Sequence, residues 1–195
     1  MANHVYQDVI VRNIDSGASL DTLVRDSNGE FLEPEHMVFM KDCGQEWDED
    51  GNLNNWYQWG CDNVGAKWCH IEDAGEDFLY INSAWSPAMG LVEKLTKHLA
   101  QGDENIEVEH QYTDEFYNFI GVAKYTFDAD DGEVIVDYQE IDWDVIAEYF
   151  IEKYTVDPRN EDFDWDKPLG EDKECPYEVQ AEFIENWRRE AYDSI

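Results

Sequence analysis

An α+β fold on a mainly antiparallel sheet is what this 195-residue sequence predicts. Strand-like runs follow one another through short turns, and other stretches carry the periodicity of amphipathic helices. A hydrophobic content of 43 %, with 8 Trp, 11 Tyr and 9 Phe, supplies enough apolar surface for a core.

Residues 4–14 (HVYQDVIVRNI) are rich in Val and Ile and read as a first strand. Ser19 is placed to cap a short helical turn running through Val24. Residues 36–41 (HMVFMK) read as a second extended piece, and 43–65 as a polar, aromatic-laced loop with turns at Gly44, Gly51 and Gly60. Two strands, 66–72 and 78–84, flank the acidic turn Asp73–Asp77. Ser86 and Pro87 mark a helix start, hydroxyl cap then proline. Ala88, Leu91, Val92, Leu95 and Leu99 share one face of that helix, and Gly102 closes it.

Residues 106–112 alternate, with Ile106, Val108, His110 and Tyr112 on one side and Glu107, Glu109 and Gln111 on the other. His110, on the apolar side, reads as a satisfied core histidine. Strands 118–127 and 133–141 meet at Asp130-Asp131-Gly132, a hairpin turn signal. Helix 142–154 turns Trp143, Ile146, Phe150 and Tyr154 inward, and an acidic loop, 157–174, leads to a last helix over 176–192. The helices are expected on one face of the sheet. The expected division is a core domain, residues 1–155, with the loop 43–65 inserted, and an acidic loop and C-terminal helix, 156–195, packed on or extending it.

Charge dominates the composition. The 47 Asp and Glu against 13 Lys and Arg give a formal charge of −34. Nucleic acid and anionic membranes both attract through Lys and Arg, so neither is an expected partner. A basic protein surface, above all one built to hold nucleic acid, is the natural opposite. No run approaches the roughly 18 apolar residues of a membrane helix, and the N-terminus lacks the pattern of a secretory signal. Four cysteines in a chain of this length do not make a disulfide scaffold. The reading is a cytoplasmic protein with reduced thiols.

The acids are unevenly spread, 18 in residues 1–100 against 29 in 101–195. On helix 142–154, Asp144, Glu148 and Glu152 fall four residues apart, at about 6 Å intervals along one edge. Glu178, Glu182 and Glu185 line the last helix in the same way, and Glu107 and Glu109 share one strand face. Such rows echo the spaced charges of a phosphate backbone. A merely solvated surface and halophilic adaptation are the plainer explanations.

Other chemistry finds little purchase. Glu46, Asp48, Asp50, Gly51 and Leu53 echo half of a calcium loop, but Tyr57 stands where the bidentate Glu belongs. Cys61, Cys69, His70 and Cys43 match no structural zinc spacing, and alternation sets Cys69 and His70 on opposite strand faces. Phosphate-loop, nucleophile-elbow and Cys-His signatures are missing. No cofactor or metal is expected, and catalysis is the minority reading.

The succession Asn55-Trp56, Trp59-Gly60, Gly65-Ala66-Lys67-Trp68, then Ala84-Trp85-Ser86-Pro87 opening a helix, resembles the YubB-like family of plasmid and phage proteins; so does the opening Met1-Ala2-Asn3-His4. The likeness covers residues 1–12 and 53–128. It implies a ferredoxin-like sheet, without an iron–sulfur cluster, and a mobile-element origin beside genes that counter host defence. It assigns no functional residues, since that family's activity is not established. Trp56, Trp68, Trp85 and Pro87 look architectural, as core indoles and a helix start.

Charge and resemblance together lead to one expectation: an anti-defence inhibitor that mimics nucleic acid in the basic groove of a host defence protein. Its contact residues are expected to be Glu107, Glu109, Asp144, Glu148, Glu152, Glu178, Glu182 and Glu185. Two rivals stand beside it, a protein-binding module using the aromatic loop 47–59 (Trp47, Trp56, Tyr57, Trp59) and a small metal-dependent enzyme.

Overall fold

The computed structural model describes residues 3–12, 19–170 and 174–195. Residues 1–2, 13–18 and 171–173 lie outside that description, and with them Met1 and Ala2, the end of the first expected strand and part of the acidic loop.

Six strands form one sheet in the order β2-β3-β1-β4-β5-β6, every neighbouring pair antiparallel. They are β1 (His4–Val11), β2 (Cys69–Ala74), β3 (Phe78–Ala84), β4 (Glu107–Asp114), β5 (Ile120–Asp128) and β6 (Glu133–Ile141). Because β1 is antiparallel to both β3 and β4, those two run parallel on either side of it. Helix α3 (Met89–Leu99) carries the chain from β3 to β4, giving the split β-α-β unit of a ferredoxin-like sheet. The short helices α1 (Leu20–Leu23) and α2 (Trp56–Trp59) precede it; α4 (Trp143–Tyr154) and α5 (Pro176–Ser194) follow. The α+β ferredoxin-like expectation is met.

One face of the sheet presents Val5, Gln7, Val9, Val108, His110, Tyr112 and Tyr125, all buried. On it lie Leu91, Val92, Leu95 and Leu99 of α3, the side predicted to face inward. Gly90 permits a close approach: a Cβ there would overlap the Asn63 carbonyl oxygen of the turn after α2.

The opposite face is covered as well, and here the expectation of helices on one side gives way. Helix α5 crosses it. Tyr192 Oη donates to Glu107 (2.6 Å), Arg188 donates to Gln111, the Tyr112 carbonyl and Thr113, and Gln139 donates to Ser194 (2.8 Å). A second core forms from Ile120 of β5, Ile146 and Phe150 of α4, Leu169 of the loop, and Val179 and Ile184 of α5. Phe163 and Trp165 join it, with ring centroids 5.0 Å apart and each within 6.2 Å of Phe150. The loop expected to be merely acidic is thus also an aromatic anchor, and residues 156–195 share this core with α4 and the sheet.

Several local expectations need correction. Residues 34–40 form two 3-10 turns, Pro34–His36 and Val38–Met40, rather than a strand. Their backbone donors find acceptors three residues back, as in Met40 N–H to Met37 C=O (3.0 Å), so no strand partner is needed. The loop 43–65 contains α2 and, continuous with it, a wider π-type turn, Gly60–Val64, ended by Gly65 at φ 92°. Strand β2 begins at Cys69, not at 66. Helix α3 starts at Met89, and Ser86 does not cap it; its hydroxyl donates to the Gly65 carbonyl (2.6 Å). Gln7 of β1 accepts the Ala88 N–H instead (2.7 Å), a cap supplied from across the sheet. Asp142 does cap α4, accepting from Asp144 N–H and Val145 N–H.

Candidate functional site

Acidic rows first. Asp144, Glu148 and Glu152 of α4 and Glu178, Glu182 and Glu185 of α5 are all exposed. Both helices bury an apolar stripe in the second core, which leaves these edges to solvent. The helices meet at Tyr149 and Phe183, ring centroids 4.5 Å apart. Among the described residues only Asp144 of the six has an ion pair, with Arg159 (3.0 Å).

Glu107 and Glu109 are placed differently. Glu109 is 4 % exposed, paired with Arg12 and accepting from Gln111 Nε2 (2.7 Å). The carboxylate of Glu107 is taken by Tyr192. The reason is α5, which covers the face that alternation alone left to solvent; a carboxylate beneath a helix needs partners. Glu107 secures the helix and Glu109 is held by Arg12 and Gln111, so neither extends the exposed acidic rows. Arg188, on the sheet-facing side of α5, has its guanidinium pKa pushed down by burial, with Asp8 and Glu109 opposing that shift.

A second constellation gathers at the β2 edge of the sheet. A cavity of about 150 Å³ is lined by Trp56, Trp59 and Trp68 together with Leu53, Glu33 and Glu35. Gly60 lets the turn close against the segment leading into β2, since a Cβ there would stand 3.1 Å from the Ala66 carbonyl oxygen. Trp59 anchors the arrangement: it is 8 % exposed and its indole Nε1–H donates to the Cys43 carbonyl (2.9 Å).

Most of the indoles read as architectural are not in the core. Trp56 is 54 % exposed and Trp85 is 55 % exposed, while Trp68 is half-buried with His4 against its edge (5.4 Å). Trp85 also adopts φ 75°, a conformation costly for a bulky side chain. The sequence signal misled because large aromatics in order look like core, whereas small residues fill the core at these points: Ala84, Ala66 and Ala88 are each buried. Of the aromatic loop, Trp47, Trp56 and Tyr57 are exposed and Trp59 is not.

The metal candidates come apart. Cys69 is buried and His70 beside it exposed, as strand alternation requires. Cys61 is exposed, and burial and the nearby Glu33 push the Cys69 thiol pKa up. Among the described residues, no three His, Cys, Asp or Glu side chains come together as a metal would require. In the calcium-like loop, Asp48 accepts from the backbone N–H groups of Asp50 (2.9 Å) and Asn52 (2.8 Å), a turn-forming role.

The fold and these surfaces define an α+β domain of the ferredoxin-like kind with exposed acidic rows on α4 and α5 and an aromatic cavity beside β2. Residues 64–156, from the turn after α2 to just beyond α4, match the family described as "Ferredoxin-like domain in Api92-like protein". No curated protein and no solved structure matches the chain. Among the described residues no helix is long and apolar enough to cross a membrane.

Proposed function

We propose that this protein is an anti-defence inhibitor of phage or plasmid origin, an acidic mimic that occupies the basic nucleic-acid groove of a host CRISPR effector, restriction enzyme or defence nuclease. The observation that carries the reading is the pair of exposed rows, Asp144, Glu148 and Glu152 on α4 and Glu178, Glu182 and Glu185 on α5, on two helices that pack against each other. Five of the six have no ion pair among the described residues, so their charge is unspent. Rigid rows of unpaired carboxylates are what a cationic channel attracts, and the formal charge of −34 steers the encounter. Contact by rows implies binding of a nucleic-acid-handling protein, in the host cytoplasm, without catalysis.

Affinity capture from nuclease-treated bacterial lysate tests this, with elution along a salt gradient. The expected outcome is one nucleic-acid-handling complex released by moderate salt, because screening weakens exposed charge pairs. Reversing Glu148, Glu152, Glu178 and Glu182 to Lys together abolishes the capture, while any single reversal changes it little. Capture that survives the fourfold reversal in a folded protein overturns the proposal.

A second reading, a protein-binding module working through the aromatic loop, is favoured by the exposure of Trp56 above a cavity whose floor is the anchored Trp59. Exposed indoles beside a pocket are frequent hot spots, and their contacts resist salt.

A further inference from the structure

We propose that the cavity beside β2 is a binding site for a guanidinium group, that of an arginine side chain on a partner protein. This narrows the aromatic-loop reading and is independent of the acidic rows on α4 and α5.

Three features of the cavity select that chemistry. The first is size. A volume of about 150 Å³ is below the range of drug-sized ligand pockets but is the space that holds one planar ring or group of similar extent. The second is aromatic surface. Trp56, Trp59 and Trp68 all line it, and indole is the best of the side-chain π-faces for a cation; the planar guanidinium stacks on it where a compact ammonium does not. The third is charge. Glu33 and Glu35 also line the cavity, and a carboxylate beside indole faces favours a cation and rejects an anion.

The neighbourhood already accommodates positive groups. Lys67, at the same cavity, holds its ammonium 5.7 Å from the Tyr57 ring centre. His70 Nδ1 lies 3.4 Å from Glu33. Glu35 has no ion pair among the described residues. The walls are also rigid: Trp59 is fixed by its bond to Cys43, and the turn behind it is closed against β2 through Gly60. Preorganised walls reduce the ordering cost that a small group's binding must overcome.

The test is a titration followed by the indole N–H signals of the ¹⁵N-labelled protein at low salt, with resonances assigned by single Trp-to-Phe variants. The probes are N-acetyl-arginine amide and its neutral counterpart, N-acetyl-citrulline amide. Saturable shifts confined to Trp56, Trp59 and Trp68 are expected with arginine and not with citrulline. The double substitution Glu33→Gln, Glu35→Gln should weaken arginine binding about fivefold or more, and Trp56→Ala should remove it, with the rest of the spectrum unchanged. Equal shifts from arginine and citrulline overturn the guanidinium assignment while leaving an aromatic recognition surface. Arginine shifts spread over every exposed indole overturn the site itself, since they report only the protein's general negative field. Absence of any shift with either probe overturns the site, while the aromatic-loop reading is overturned separately if no partner is captured at high salt.

Discussion

His110 shows how far a single side chain's environment can depart from its ordinary chemistry. It is fully buried in β4, with Nε2 2.9 Å from Gln7 Oε1 and Nδ1 3.3 Å from the Tyr125 hydroxyl. Burial, with the positive charge of Arg188 adding to it, lowers its pKa to about 3. The folded protein therefore keeps this ring neutral where an unfolded chain, with a histidine pKa near 6.5, takes up a proton. The unfolded state then binds more protons, so this group's contribution to stability falls as pH drops from about 6.5 toward 3, at up to about 1.4 kcal/mol per pH unit. His110→Gln removes that slope. Urea unfolding of both proteins between pH 5 and 8 should show curves that converge as the pH falls below 6.5; parallel curves would refute the assignment. The same residue ties the core together, because Gln7 also accepts the Ala88 N–H and donates to Ser83 (2.7 Å). That the apolar side of β4 contained a satisfied histidine was legible from alternation; its partner on β1 was not.

Helix α5 is the element on which the second half of the chain depends. It contributes Val179 and Ile184 to the second core and reaches the sheet through Arg188 and Tyr192. Ile184→Ala should cost about 2–3 kcal/mol, the lower part of the range for a truncated core isoleucine, since Ile184 keeps 9 % of its surface exposed. The cost should be local. Hydrogen exchange is expected to rise through α5 and α4 while β1, β3 and β4, whose core is the other face, keep their protection. Uniform loss across the sheet would mean that the two cores open as one. The helix's existence and extent were readable from Pro176 onward, since proline at the first turn and an amphipathic stripe are local signals. Its docking on the free face of the sheet was not, and that docking is what turned Glu107 from a candidate contact into an anchor.

For the whole molecule, the formal charge of −34 is the governing quantity. Self-repulsion on that scale opposes compactness, and it is relieved by screening. The melting temperature should thus be higher in about 0.5 M NaCl than at low ionic strength, where the Debye length is several times longer. A melting temperature that does not change with salt would show that the acids are already balanced within the fold. Binding through the acidic rows should respond in the opposite sense and weaken with salt, so one protein shows both behaviours. The aromatic cavity lies at the β2 edge, whereas Glu185 of the α5 row shares a different cavity with Tyr6 of β1 and Tyr80 of β3.

The sequence by itself determined the α+β class, the hairpin at Asp130-Asp131-Gly132, the inward stripe of α3, the helix at α4 and the acidity of the second half. Each is a local or periodic property, set by turn chemistry, capping or residue spacing. Only the tertiary structure decided which carboxylates remain free, where the indoles lie and what caps α3. Those depend on contacts between residues far apart in the chain: Gln7 with Ala88, Tyr192 with Glu107, and the Trp59 indole with the Cys43 carbonyl. The physical reason is burial, a property of packed surfaces; no spacing along one strand or helix reports which of its faces a distant element will cover.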